Sequence, residues 1–337
     1  MRRHRVGLFV LGLTTVVTGF ATTAPGPAVA AVTAPATGPC AGFEVIVIDG
    51  VDECTHGGDL APVVPPTSSA RSRPVAGPPC AGDGRSGPRI RVLLGIPANT
   101  ASPDGPATRS LMRQALALAD ANLDAASASV GQHYRFFCRA DASVTIETTR
   151  LPAIGKDNGY TFDDVVSGLT EQGFRKTSAI YAVFVANIDC CYGYGGQGSL
   201  MDDDSPTPTA NRNNGSAARF SMIRLGATFD AATLALVFQH ETGHNMGAVQ
   251  NSAPHTSGAY HCYETNDIMC YDDGGPYFND GGALVSVCPD PSAAGMYVFD
   301  CGGDDYYNAD PAPSTYLSDH WNVADSRWLT PVGATVR

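Results

Sequence analysis

No C-x-x-C pair occurs among the ten cysteines of this 337-residue chain, which excludes a zinc–cysteine module of the usual ligand spacing. No internal repeat is visible, so a solenoid is excluded as well. Beyond the N-terminal 21 residues, no run is apolar enough to span a bilayer. Basic residues are scarce: 21 Lys and Arg face 33 Asp and Glu, for a net charge of -12, which argues against nucleic acid or an anionic membrane as partner. Histidine is scarcer still, with 8 in the chain, and half of these fall between His240 and His261.

That crowding has a pattern. His240, Glu241 and His244 form HETGH inside residues 230–247, DAATLALVFQHETGHNMG. Two His four residues apart on a helix stand one above the other, so both imidazoles reach one ion. The adjacent Glu then faces a water in an open coordination position, the layout of a zinc hydrolase. The helix is predicted over 233–246, with Asp230 as N-cap, an apolar body (Leu234, Leu236, Val237, Phe238) and Gly247 as the stop. Two His on a buried helix that merely hydrogen-bond to neighbours would leave Glu241 in the same pocket unexplained.

HETGHNMG, with Gly three residues after the second His, resembles the metzincin clan of zinc metallopeptidases, whose longer pattern is H-E-x-x-H-x-x-G-x-x-H followed by a Met-turn. The resemblance implies that Met269, in DIMCY (267–271), is the Met-turn floor of the metal site. It also implies that Tyr271 binds the metal weakly or donates to the oxyanion. The chain departs from the clan at the third ligand, where Gln250 stands. A neutral amide is a poor zinc ligand. The clan tolerates insertions at this point, and His255, presented after a proline, is the expected third ligand, with His261, Gln250 and Asp267 as alternatives. The specific motifs lie between His240 and Tyr271, although the order of elements follows the clan from about Arg89 onward.

The implied fold class is α+β: a twisted mixed sheet packed on the active-site helix and stabilised by disulfides. Residues 90–96, 133–138, 143–148 and 178–187 read as strands, and 107–128 and 162–172 as helices. Residues 217–225 are expected to border the cleft and pair with an extended peptide, an inference from clan geometry. Residues 316–329 read as an amphipathic helix with Trp321, Ala324 and Trp328 facing the core, and His320 as structural. Residues 1–30 read as a signal peptide, with a basic start, an apolar run and cleavage after Ala30 or near Ala24. Its removal takes Arg2, Arg3 and Arg5 and leaves a more acidic chain.

Residues 31–86 form a Pro/Ala/Gly-rich stretch, with a strand candidate at 43–50 and a linker at 63–79. They are read as a removable pro-segment or as an extension tied down by Cys40, Cys54 and Cys80. The metallopeptidase domain is placed at 87–337. An even cysteine count in an exported chain favours disulfides over a metal-blocking thiol. Sequence proximity suggests Cys40–Cys54 and Cys80–Cys138. The adjacent Cys190 and Cys191 are expected to take different partners, since a bridge between neighbours is strained. The acidic runs at 202–204 and 300–310 lack EF-hand spacing and read first as solvated loops. Asp304, Asp305 and Asn308 are the better structural Ca²⁺ candidate.

The expected protein is thus a secreted, monomeric Zn²⁺ endopeptidase acting on protein or peptide substrates. Three alternatives are weighed: a non-catalytic binding protein on a protease-like scaffold, a zinc hydrolase of a non-peptide amide or ester, and a protease using Glu264 as a downstream ligand.

Overall fold

The most apolar runs of the chain become the central strands, because a strand covered on both faces must be apolar at every position. The computed structural model describes residues 40, 43–48, 50–60, 77–127, 131–154, 161–186, 194–215, 217–226, 228–289 and 297–334. The expected signal peptide, most of the 63–79 linker, and Cys190 and Cys191 lie outside them. In chain order the strands are β1 (Glu44–Ile48), β2 (Val51–Thr55), β3 (Asp59–Leu60), β4 (Arg89–Pro97), β5 (Ile146–Leu151), β6 (Ala179–Ala186), β7 (Tyr194–Gly198) and β8 (Arg219–Leu225). The principal helices are α1 (Pro106–Ala126), α2 (Phe162–Glu171) and α3 (Ala231–Met246).

Strands β1 and β2 form an antiparallel pair. The others form one sheet, among the described residues, in the order β3-β7-β8-β6-β4-β5. Strands β8, β6, β4 and β5 run parallel; β7 lies antiparallel to β8, and β3 antiparallel to β7. Every residue of β6 is buried. Alternate side chains feed two layers. Val92, Leu94, Ala182, Phe184 and Ile223 pack with α1 and α3, whereas Leu93, Tyr181, Val183 and Phe220 pack with α2 on the other face. The architecture is therefore α+β with a mixed sheet. Residues 34–337 form one compact unit, with β1–β3 of the N-terminal extension inside it.

Cys40–Cys54 and Cys80–Cys138 pair as sequence proximity suggests, and Cys262–Cys270 and Cys288–Cys301 are bridged as well. Two elements differ from expectation. Residues 133–138 form single bridges rather than a strand, because successive residues turn to different partners: Tyr134 to Leu329, Phe136 to Ile90 and Cys138 to Val144. Residues 316–329 hold only one helical turn, Tyr316–Asp319, and a 3-10 turn, Val323–Asp325. The reason is local competition. The Asn322 side chain accepts from the Ala324 N–H, and the Trp321 indole donates to the Met246 carbonyl, which draws this segment onto the end of α3. Trp321 and Trp328 are buried in the core as expected.

Candidate metal centre

Helix α3 begins and ends where its caps dictate. The Asp230 carboxylate accepts from the Thr233 N–H, and Gly247 takes the left-handed conformation (φ 87°) that closes the helix. A side chain at Gly247 would also strike Asn213. From Leu234 to Met246 the helix is wholly buried. It therefore carries two imidazoles and a carboxylate into the interior, where each needs a partner.

His240 and His244 stand with their Nε2 atoms 3.2 Å apart. The third imidazole beside them is His261, whose Nε2 lies 3.3 Å from that of His240. Two nitrogens bound to one tetrahedral zinc at about 2.0–2.1 Å stand about 3.3 Å from each other, so these separations match the ion. The His240 tautomer agrees with this, whereas His261 lies between two carboxylates: burial opposes its charge, but Asp273 and Asp59 push its imidazole up to about 9 while Asp59 is in place. The Ile268 carbonyl can only accept, so the His240 Nδ1–H donates to it at 2.7 Å and leaves the neutral ring's Nε2 lone pair facing the centre. Nδ1 of His261 lies 2.9 Å from the Asp273 carboxylate, the outer partner that orients a ligating imidazole. Burial holds the His244 imidazole far below its usual range, hence neutral.

His255, the expected third ligand, is not in this cluster; it turns to Asp305 instead. The Tyr260–His261 segment reaches back to α3 because the loop beyond Gly247 is longer than a three-residue spacing, and the Cys262–Cys270 bridge fastens it beside Met269. Gln250 is buried away from the imidazoles, its amide donating to the Gly247 carbonyl and accepting from the Asp203 N–H. Asp267 is likewise engaged elsewhere, with the N–H groups of Met269 and Cys301 and the Tyr306 hydroxyl. Met269 is fully buried under α3, so close that a Cβ on Gly243 would stand 2.8 Å from its sulfur. The Tyr271 ring lies 4.5 Å from that of His261.

Glu241 sits beside the imidazoles with both carboxylate oxygens buried and lacking a hydrogen-bond partner among the described residues. Burial, and then the charge of Asp59, push its carboxyl well above the usual range. Strand β7 lies directly over it. A Cβ on Gly196 would come within 2.4 Å of Glu241 Oε1, so the glycines of Tyr194–Gly198 permit that approach. The cleft here has a volume of about 380 Å³ and is lined by Asp59, Gly196, Val237, His240, Glu241 and Tyr271, among others. Strand β7, not the expected 217–225 segment, borders the cleft. The latter is β8, which has neighbours on both sides and so no free edge for a peptide.

Two residues of this cluster escaped the sequence reading. Asp59 Oδ1 lies 3.1 Å from His261 Nε2 and 3.5 Å from His240 Nε2, and it accepts a 2.5 Å hydrogen bond from the Tyr271 hydroxyl. Its other oxygen is 3.8 Å from His244 Nε2. His56 Nε2 lies 3.0 Å from His244 Nε2. Burial opposes the Asp59 charge, but His56 and His240 outweigh it and hold its carboxyl well below the usual range. Asp59 arrives on β3, which pairs antiparallel with β7. The signal available was the scarcity of His: His56 is one of only 8, and it lies three residues from an acid.

Four imidazoles, those of His56, His240, His244 and His261, and the Asp59 carboxylate thus converge on one site whose His and Asp donors could hold a metal ion. No protein-family model matches the chain, and no curated protein matches it.

Proposed function

We propose that this chain is a secreted zinc endopeptidase of metzincin-like type, with His240, His244 and His261 holding the metal and Glu241 as general base. The convergence of the Nε2 atoms of His244 and His261 on that of His240, at 3.2 and 3.3 Å and beside the buried Glu241, is the observation that supports it most. Zinc bound there supplies Lewis acidity, lowering the pKa of a water toward about 7 and polarising the scissile carbonyl. Glu241 takes the water's proton and passes it to the leaving amine, a task suited to a carboxyl raised by burial. Met269 supports the imidazoles from below. Tyr271, once free of Asp59, donates to the developing oxyanion.

A peptide substrate is favoured over a small amide or ester because strand β7 already pairs with an extended chain segment, β3, in the cleft. That segment places Asp59 among the imidazoles, where water and substrate have to stand. We therefore read the described form as self-blocked by its own N-terminal extension. The Cys40–Cys54 bridge closes within the blocking segment, and Cys80–Cys138 lies beyond it. A single cut between Leu60 and Cys80 thus leaves no disulfide among the described residues tying the segment to the domain. Export agrees with the four disulfides among the described residues, and no described helix is long and apolar enough to cross a membrane.

The test is cleavage of a mixed peptide library by the purified chain, cut between Leu60 and Cys80 through an inserted site for a specific protease, beside its Glu241→Ala variant. Cleavage by the former alone, stopped by a chelator, supports the reading. Absence of cleavage by both, with zinc bound, overturns it.

A further inference from the structure

His255 leaves the three-histidine centre for a second cluster of its own. Its Nδ1 lies 3.1 and 3.2 Å from the two oxygens of Asp305, 3.7 Å from Glu264 Oε1 and 3.9 Å from Asp304 Oδ1. One ligand atom from each of the four residues lies within 4.8 Å of all the others. Glu264 is only 1% exposed, and its Oε2 meets no hydrogen-bond partner among the described residues. Oδ1 of Asp304 is buried without one as well. The orphaned Asp304 Oδ1 is the oxygen that faces His255, and the other orphan belongs to the buried Glu264, whose Oε1 faces that imidazole. One imidazolium cannot balance three carboxylates there, and burial, then Asp305, push the Glu264 carboxyl up to about 7.

The backbone presents this cluster deliberately. The Asp300 carboxylate accepts from the N–H groups of Asp304, Asp305, Tyr306 and Tyr307, which fixes the turn carrying the two acids. The other acidic run differs: Asp203 is occupied by the N–H groups of Ser205 and Arg212, and Asp204 by Ser252 and Trp321.

We propose that His255, Glu264, Asp304 and Asp305 form a second divalent-metal site, of the zinc class, joining the loop that carries His261 to the 300–308 turn. An imidazole among three carboxylates favours zinc over calcium, which wants six to eight oxygens. The calcium candidate weighed from the sequence, Asp304, Asp305 and Asn308, is not assembled. Asn308 turns away, its amide donating to the Gly303 carbonyl and its oxygen accepting from Asp310. A metal here pins both ends of the loop whose middle supplies His261, so that the two centres share one short segment of chain.

The test is a metal count on the full chain, produced and dialysed with both zinc and calcium present. Two zinc ions per chain are expected in the wild type, one in His240→Ala/His244→Ala, one in Glu264→Gln/Asp305→Asn, and none when all four changes are combined. One zinc in the wild type, unchanged by Glu264→Gln/Asp305→Asn, overturns the proposal, as does one zinc with one calcium. Should the buried substitutions prevent folding, Asp304→Asn is the milder probe, since that side chain is 47% exposed. By zinc titration calorimetry of the folded variant, the second dissociation constant should rise at least tenfold; an unchanged constant also overturns the site. The count in His240→Ala/His244→Ala involves no catalysis, so it separates failure of this site from failure of the endopeptidase reading.

Discussion

His255 and His261 are six residues apart in one loop, yet they serve two clusters of opposite character. His261 turns inward to the imidazoles of His56, His240 and His244, with the carboxylates of Asp59 and Asp273 on its two nitrogens. His255 turns outward to three carboxylates, is 30% exposed in its side chain, and has no second imidazole near it. The inner centre holds the buried Glu241 and opens on a cleft of about 380 Å³. Donor type and surroundings, not histidine itself, thus separate the centre we propose to be catalytic from the one we propose to hold a loop.

The sharpest way to break this comparison is to delete the two histidines in turn. His261→Ala should abolish peptide cleavage and remove zinc from the inner centre, whereas His255→Ala should leave the inner zinc in place. Metal analysis beside a peptide assay reads both. Next in size, Glu241→Ala should lower kcat/KM by about 10²–10⁴-fold, the range of a lost general base, with zinc content unchanged. Removing the blocking carboxylate works in the opposite direction. Releasing the segment that carries it, by a cut between Leu60 and Cys80, should raise the rate of peptide cleavage at least tenfold over the uncut chain, and an unchanged rate would contradict the self-blocked reading.

A smaller effect is expected one shell further out. Asp273→Asn weakens the partner of His261 Nδ1 and should cost about 10–100-fold in zinc affinity at the inner centre alone, measured by competition with a chelating dye. The smallest change lies at the start of α3. Asp230→Ala removes the N-cap and should cost about 1 kcal/mol in urea unfolding, with the metal content of both centres preserved.

Much of the inner centre was legible because its information is local. Asp230, the apolar body of α3, HETGH and Gly247 fall within a few turns of one helix, where spacing alone fixes which side chains share a face. Met269 was singled out only through the resemblance to the metzincin pattern. The third imidazole was not legible. His255 and His261 stand in the same loop, and only the Cys262–Cys270 bridge and the packing of Tyr271 on His261 decide which one turns inward. Asp59 and His56 were hidden for a stronger reason. Some 180 residues separate Asp59 from His240, and the pairing of β3 with β7 that joins them rests on backbone hydrogen bonds, which leave no residue-type pattern in the sequence. Gly196 and Gly198 of β7 let a strand lie against Glu241, where a Cβ would strike it.

The central claim is that His240, His244 and His261 hold a catalytic zinc. Its most direct test is a crystal structure of the zinc-loaded chain with anomalous data at the zinc edge. The account predicts a zinc peak about 2.0–2.1 Å from Nε2 of each of the three imidazoles, with Glu241 beside it and not bound to it. Zinc confined to the His255 cluster, or no peak between the three imidazoles, would contradict it.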